Sequence, residues 1–405
     1  MRRSHFLLGS ISGLVVVGST QSVFARALAD TPLPGLPGAS DRILVVVNLQ
    51  GGNDGLNCVV PHGDPAYYQV RPTIGVSRND VLNVDGHIGF NPAMKSFKDM
   101  YDKGQVAVVQ NVGYPNPDHS HFRSTEIWQT AVPEKFEHTG WLGRYLDDAG
   151  LPKNNLFNGV AVAQVLPEAL VASHSDVPVV AQLRGYGLVS DRNAAARDAY
   201  AKIVGDGMPF SSPYLGHVAE IEDHAQKGSE ELPKLIAGYK PAGAYPATPL
   251  GRSLALAAQI AGSNTGTRVI YVQHGSFDTH INQKATQDRL LGQLSDALKA
   301  FYDDLAAHGN DKRVLTMTFS EFGRRIAENA SRGTDHGEAS PLFLVGGGVK
   351  GGVYGAYPDL ANTSEGNVRF QTDFRQVYAT ILERWMGRPA EKILQGQFGT
   401  IGALG

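Results

Sequence analysis

Arg42-Ile-Leu-Val-Val-Val-Asn-Leu49, running into Gln50-Gly-Gly-Asn-Asp-Gly55, is a continuous apolar, β-branched run that stops in a glycine-rich turn. A strand buried on both faces reads this way, because neither face needs polar side chains, and such strands belong to parallel sheets. Five similar runs follow, at Val106–Gln110, Gly159–Ala163, Arg268–Gln273, Arg313–Phe319 and Leu342–Gly346. Helical patterns lie between several of them. The clearest covers Gln287–His308, where Leu290, Leu291, Leu294, Leu298, Phe301 and Leu305 recur at three- and four-residue steps. Strand, helix and strand in that order imply right-handed crossovers. The expected fold class is therefore α/β, a mostly parallel sheet with helices on both faces.

Composition agrees with one large folded unit. Of 405 residues, 42% are hydrophobic and 19% charged, ordinary globular usage that argues against extensive disorder, while 47 glycines suggest many tight turns. Residues 190–260 are rich in Ala, Glu and Lys and hold no strong strand pattern; they read as a helical insertion within a single α/β domain spanning 41–405. The lone cysteine, Cys58, excludes an internal disulfide and reads first as a small buried residue near a turn.

The N-terminus reads as a leader. Arg2 and Arg3 precede an apolar run from Phe6 to Gly18, and Ala25-Arg26-Ala27 is a small-residue cleavage signature, so residues 1–27 form a signal peptide. The run is shorter than the ~20 residues that cross a bilayer, so no stable membrane anchor is expected after cleavage. The paired arginines resemble the twin-arginine export motif, with Ser4 and His5 as an extra step before Phe6, which leaves the general secretory route open. Residues 28–40 are a Pro/Gly/Ser-rich linker, and the mature protein is expected in the periplasm or secreted. Removing the leader's three arginines, with no acidic residue beside them, takes the net charge from −3 to about −6. No nucleic-acid footprint is present at that charge.

In an open α/β sheet, ligands bind outside the carboxyl ends of the strands, so polar residues just beyond each apolar run are the informative ones. Asn53 and Asp54 follow the first run, His274, Asp278 and His280 the fourth, and Glu321 the fifth, while Thr334-Asp335-His336-Gly337 precedes the sixth. Carboxylate and imidazole together are what a divalent cation needs, and recurrence at one end of successive strands favours a shared site. Taken alone, Asp54 in Asn-Asp-Gly reads first as a turn residue. A fifth group, Asp118-His-Ser-His-Phe-Arg-Ser124, adjoins a helical pattern at Thr125–Thr130. Ser120 there is either a helix N-cap or a nucleophile at a helix N-terminus, flanked by His119 and His121. Arg123 could hold a phosphate or sulfate oxygen pair.

The stretches Leu44–Asn57, Ser120–Ser124 with Ile127–Thr130, Gly275–His280 with Gln283, Ser320–Arg324, and Thr334–Gly337 with Gly346–Gly352 resemble the bacterial family called domain of unknown function 1501. That family is similar to the alkaline phosphatase and sulfatase superfamily, which implies an alkaline-phosphatase-like two-metal fold. Asp54, Asp335 and His336 match its metal ligands, and Asp278 with His280 stands in for a second ligand group. The superfamily's sulfatase nucleophile motif, Cys or Ser followed by x-Pro-Ser-Arg, is absent, so a formylglycine sulfatase is not expected. The implied activity is a metal-dependent hydrolase of an anionic phosphate or sulfate ester, using zinc, manganese or calcium, with Ser120 or a water as nucleophile. A non-catalytic exported binding or assembly protein on the same fold is the alternative. The leader yields a direct expectation: the mature protein's mass corresponds to a chain starting at or within a few residues of Leu28, and replacing Arg2 and Arg3 by lysine blocks export if the twin-arginine route is used, whereas unaffected export points to the general route. Full-length protein retained in the cytoplasm would contradict it.

Overall fold

The first apolar run becomes the centre of the sheet. In a computed structural model, which describes residues 41–183 and 213–405, strand β1 (Ile43–Leu49) is buried at every position. The leader, the linker and residues 184–212, which include the first part of the expected helical insertion, lie outside the described residues.

In chain order the elements are β1, α1 (Gly55–Cys58), β2 (Val59–Val60), α2 (Pro65–Val70), β3 (Leu82–Asn83), β4 (Gly89–Phe90), α3 (Lys95–Asp102) and β5 (Val106–Gly113). Then come α4 (His121–Thr130), α5 (Trp141–Asp148), β6 (Gly159–Val162), α6 (Pro213–Ile236), α7 (Pro249–Gly262) and β7 (Val269–His274). The chain continues through α8 (Gln283–Ala307), β8 (Val314–Phe319), β9 (Ser340–Gly346), β10 (Gly352–Tyr354), β11 (Thr372–Asp373), α9 (Phe374–Thr380) and α10 (Ala390–Leu394). The large sheet has the order β10-β5-β9-β8-β1-β7-β6, with β11 also on β5. All its pairings are parallel except those of β9, which runs antiparallel to β5 and β8. A small antiparallel sheet joins β2, β4 and β3.

Strand alternation divides the apolar side chains between two cores. Ile43, Val45, Val47 and Leu49 pack into one cluster with Phe97 and Met100 of α3, Leu254 of α7, and Leu291, Leu294, Leu298 and Phe301 of α8. Leu44 and Val46 enter the opposite cluster with Trp141 and Tyr145 of α5, Tyr378 of α9 and Ile393 of α10. The sheet is thus covered on both faces. Helix α8 begins at Gln283, earlier than its apolar pattern, because its first buried positions are the amides Gln283 and Gln287. Cys58 is fully buried, and burial pushes its thiol up to about 12, so it is no nucleophile.

The turn after β1 must be glycine. Gly51 has φ +111, and a Cβ there would collide with the backbone nitrogen of Asp278 and lie 2.9 Å from that of Phe277. Gly51→Ala is therefore expected to lower unfolding free energy by about 2 kcal/mol or more in a denaturant titration of the mature protein.

Candidate metal centre

Because β9 runs against its neighbours, its N-terminal end shares one edge with the carboxyl ends of β1, β5, β7 and β8. The loops at this edge carry Gly51–Asp54, His119–His121, Asp278–His280, Glu321–Arg324 and Asp335–His336. Chain topology alone brings these distant stretches together.

Three imidazoles are held in the same sense. His121 donates from Nδ1 to Glu321 Oε1 at 2.8 Å, His280 from Nδ1 to Asp335 Oδ1 at 3.1 Å, and His336 from Nδ1 to the His119 carbonyl at 2.7 Å. A carbonyl or an ionised carboxylate can only accept, so in each neutral ring Nδ1 carries the proton and Nε2 is a bare lone pair. All three Nε2 atoms face Asp278, at 3.4 Å for His121, 2.9 Å for His280 and 3.3 Å for His336. Those of His280 and His336 are 3.0 Å apart. His121 Nε2 is buried and makes no hydrogen bond.

Lone pairs and a carboxylate facing one another at such distances repel unless a cation or added protons lie among them. One ligand atom each from His121, Asp278 and His336 falls within 4.8 Å of the others, close to the ~4 Å that two ~2 Å bonds span across a metal. The donor set therefore fits a divalent cation. Outer oxygens that hold Nδ1 are the usual means of aiming a ligating Nε2.

The local electrostatics favour the ligating forms of Asp278 and His336 and oppose that of His121. Burial opposes ionisation of Asp278, but the Arg324 guanidinium, 2.6 Å from Oδ1, and the neighbouring imidazoles hold its carboxyl down at about 2. Burial pushes His336 below the ordinary imidazole range. His121 is pushed up, first by its hydrogen bond to Glu321. The His280 hydrogen bond lowers Asp335. The cluster remains open to solvent, with the Asp278 side chain 46% exposed.

Of the residues expected from sequence to bind metal, Asp278, His280 and His336 come together. Asp335 stands behind His280, where its contacts are with that ring and with Asn329. Asp54 is elsewhere: its carboxylate is fully buried, paired with Arg71 at 2.6 Å, and accepts from the side chain of Gln283 and from Asn57 N at the start of α1. It lies one layer below, since Gln283 Oε1 in turn accepts from Thr279 and Thr334. Arg123 also departs from expectation. It pairs with Glu126 at 2.7 Å, donates to the carbonyls of Pro133 and Lys135 and lies over the Phe136 ring, so its fork is already filled. Ser120 is the exposed N-cap residue of α4, yet its side chain makes no cap hydrogen bond. His274 is a core residue bound to the Leu290 carbonyl.

Sequence reasoning left out His121 and Arg324 and gave Glu321 no role. The polar groups expected to matter included both loops that carry them, but His121 looked like a neighbour of Ser120.

The chain belongs to the DUF1501 family. Residues 41–399 match that family's model, described as a protein of unknown function. A search of curated proteins gives no match. Among solved structures, this DUF1501 chain is similar to an alkaline phosphatase superfamily protein from Vibrio parahaemolyticus, at 10% identity and TM-score 0.41, over 97% of this chain and 76% of that one. It is also similar to the lipoteichoic acid synthase LtaP from Listeria monocytogenes, at 8% identity and TM-score 0.40, over 97% and 80%. A third is the alkaline phosphatase of the Antarctic bacterium TAB5, at 10% identity and TM-score 0.35, over 77% and 94%. No helix among the described residues is long and apolar enough to cross a membrane.

A buried ion pair and a ligand respond differently to substitution. Asp54→Asn is expected to cost about 3–5 kcal/mol, because it strands the buried Arg71 charge, and to leave bound metal per folded chain unchanged. Calorimetry with elemental analysis checks both; metal lost at unchanged stability would return Asp54 to the ligand set.

Proposed function

We propose that this protein is an exported, metal-dependent hydrolase of phosphate or sulfate esters. The observation that carries the reading is the convergence of three oxygen-anchored imidazoles on Asp278 beside an exposed serine at a helix N-terminus. Three nitrogen donors and one carboxylate suit zinc best and manganese next; calcium prefers all-oxygen shells. When bound, such a cation supplies Lewis acidity toward an ester oxygen and a lowered pKa for a coordinated water.

The remaining work belongs to the chain. The first amides of α4 have no partner within the helix, and with the positive end of its dipole they suit an anionic ester oxygen. Ser120 stands at that terminus with an exposed hydroxyl free of capping, as a nucleophile requires. Its neighbours on both sides touch the centre: His121 is part of it, and the His119 carbonyl holds His336. Binding of the anion rests on these amides and the centre, since Arg123 is occupied. Export rests on the leader sequence.

The test is a screen of phosphate mono- and diesters and sulfate esters with protein purified in Zn²⁺ or Mn²⁺. Turnover is expected, abolished by chelation and restored by metal. Ser120→Ala is expected to lower kcat by at least about a hundredfold with metal content intact. Asp278→Asn loses metal and turnover together. If Ser120→Ala and Ser120→Asp both retain activity while Asp278→Asn does not, water is the nucleophile. If metal-replete wild-type protein turns over no ester, the fold serves as a binding or assembly module instead.

A further inference from the structure

We infer that the centre holds one cation, and that Arg324 supplies the second positive charge as a fixed part of the protein. The inference rests on the metal-dependent reading above and goes further, to the number of metals and the residue that limits it. Two observations carry it.

The first is the donor inventory. A site for two cations needs six to eight donors, three or four for each. The edge described above has four that face inward: Nε2 of His121, His280 and His336, and the Asp278 carboxylate. Each carboxylate that could extend the set already holds another group through at least one oxygen. Asp54 is bound to Arg71 and Gln283. Glu321 Oε1 accepts from the Gly51 amide and from His121. Asp335 Oδ1 accepts from His280 and Asn329. Four donors serve one cation, which can expand to five-coordinate when water or an ester oxygen binds, and none is left over for a second.

The second is the place of Arg324. Its side chain has no solvent exposure, and its guanidinium lies 2.6 Å from Asp278 Oδ1 and 3.4 Å from His280 Nε2. Its remaining hydrogen bonds go to the carbonyls of Gly51, Gly52, Phe277 and Thr334. A charge held by that many carbonyls cannot swing aside. The position on Asp278 Oδ1 that a second cation would take is thereby filled. Arg324 is too deeply buried to touch a substrate, so it is a positioning residue, acting through Asp278 and through the field at the centre.

Two measurements test this. Titration of the metal-free mature protein with Zn²⁺, followed by native mass spectrometry, is expected to give one tightly bound ion per chain. Two tight equivalents overturn the inference and leave the hydrolase reading standing; none overturns both. The second measurement compares Arg324→Lys with Arg324→Gln, both checked for native circular dichroism. Each loses the guanidinium fork, so their difference isolates charge. Zn²⁺ should bind the Gln variant at least about tenfold more tightly than the Lys variant, because a cation close by has gone. Equal affinity, or tighter binding to the Lys variant, would make Arg324 a scaffold only and overturn the assignment. Should neither variant fold, the stoichiometry of the wild-type protein decides alone.

Discussion

A guanidinium shut away from water must find acceptors for its five N–H groups, and Arg324 finds them in loops that the sequence keeps far apart. It takes the carbonyls of Gly51 and Gly52 after β1, of Phe277 after β7 and of Thr334 before β9, together with the Asp278 carboxylate. Arg324 itself follows β8. Four strand ends are thus tied to one cation, and the spacing of the imidazoles depends on that tie. Close approach of the backbones is part of the same constraint. Gly51 lies against the Phe277–Asp278 backbone, and a Cβ on Gly337 would strike the backbone of Arg324 and Arg325. The loops can be this tight only because the sheet beneath them is rigid, with β1 buried throughout between two parallel neighbours.

Six strands were legible because each is a long apolar run, and burial on both faces leaves no other composition open to them. Strands β2, β3, β4, β10 and β11 have two or three residues each, too few to show a period. The direction of β9 was also hidden, since an apolar run reads the same whichever way it enters the sheet. Its reversal matters: it brings the residues before the strand, Asp335 and His336, to the edge where the other strands leave theirs. The start of α8 was missed for a related reason. Gln283 and Gln287 look like surface residues in a helical wheel, but they are buried to serve Asp54 and Asn53.

The meeting of these loops was legible in the sequence, and the contacts of their side chains only partly. Carboxylates drew attention as metal ligands, yet in this structure most of them are outer partners: Glu321 and Asp335 hold imidazoles, and Asp54 neutralises Arg71. Sequence could not separate these roles, because an Asp beside a glycine turn looks the same whether its cation is a metal or an arginine from α2's end. The distinction is electrostatic. A fully buried charge must be paired within contact distance, and Arg71, whose other donors reach the Ile326 and Arg325 carbonyls, is the partner that packing supplies.

In the loop before α4 an exposed N-cap serine is left without a capping bond, as its proposed role as nucleophile requires. An N-cap serine ordinarily spends its hydroxyl on a helix amide, which stabilises the helix by about 1 kcal/mol. Here the loop is fixed by other means. Asp118 Oδ1 accepts from Ser120 N at 2.6 Å, the Tyr114 hydroxyl accepts from Asp118 N at 3.0 Å, and buried Ser124 donates to the Asp118 carbonyl. The Tyr114 and Ser124 hydroxyls are themselves 2.9 Å apart. The His119 carbonyl is then set on His336 and the His121 ring on Glu321, so the segment is anchored on both sides of Ser120. Releasing the hydroxyl from capping forgoes some helix stability. On the proposed hydrolase reading it gains a group held in place by a backbone that its own substitution would barely disturb, so that losing Ser120 affects reactivity far more than folding.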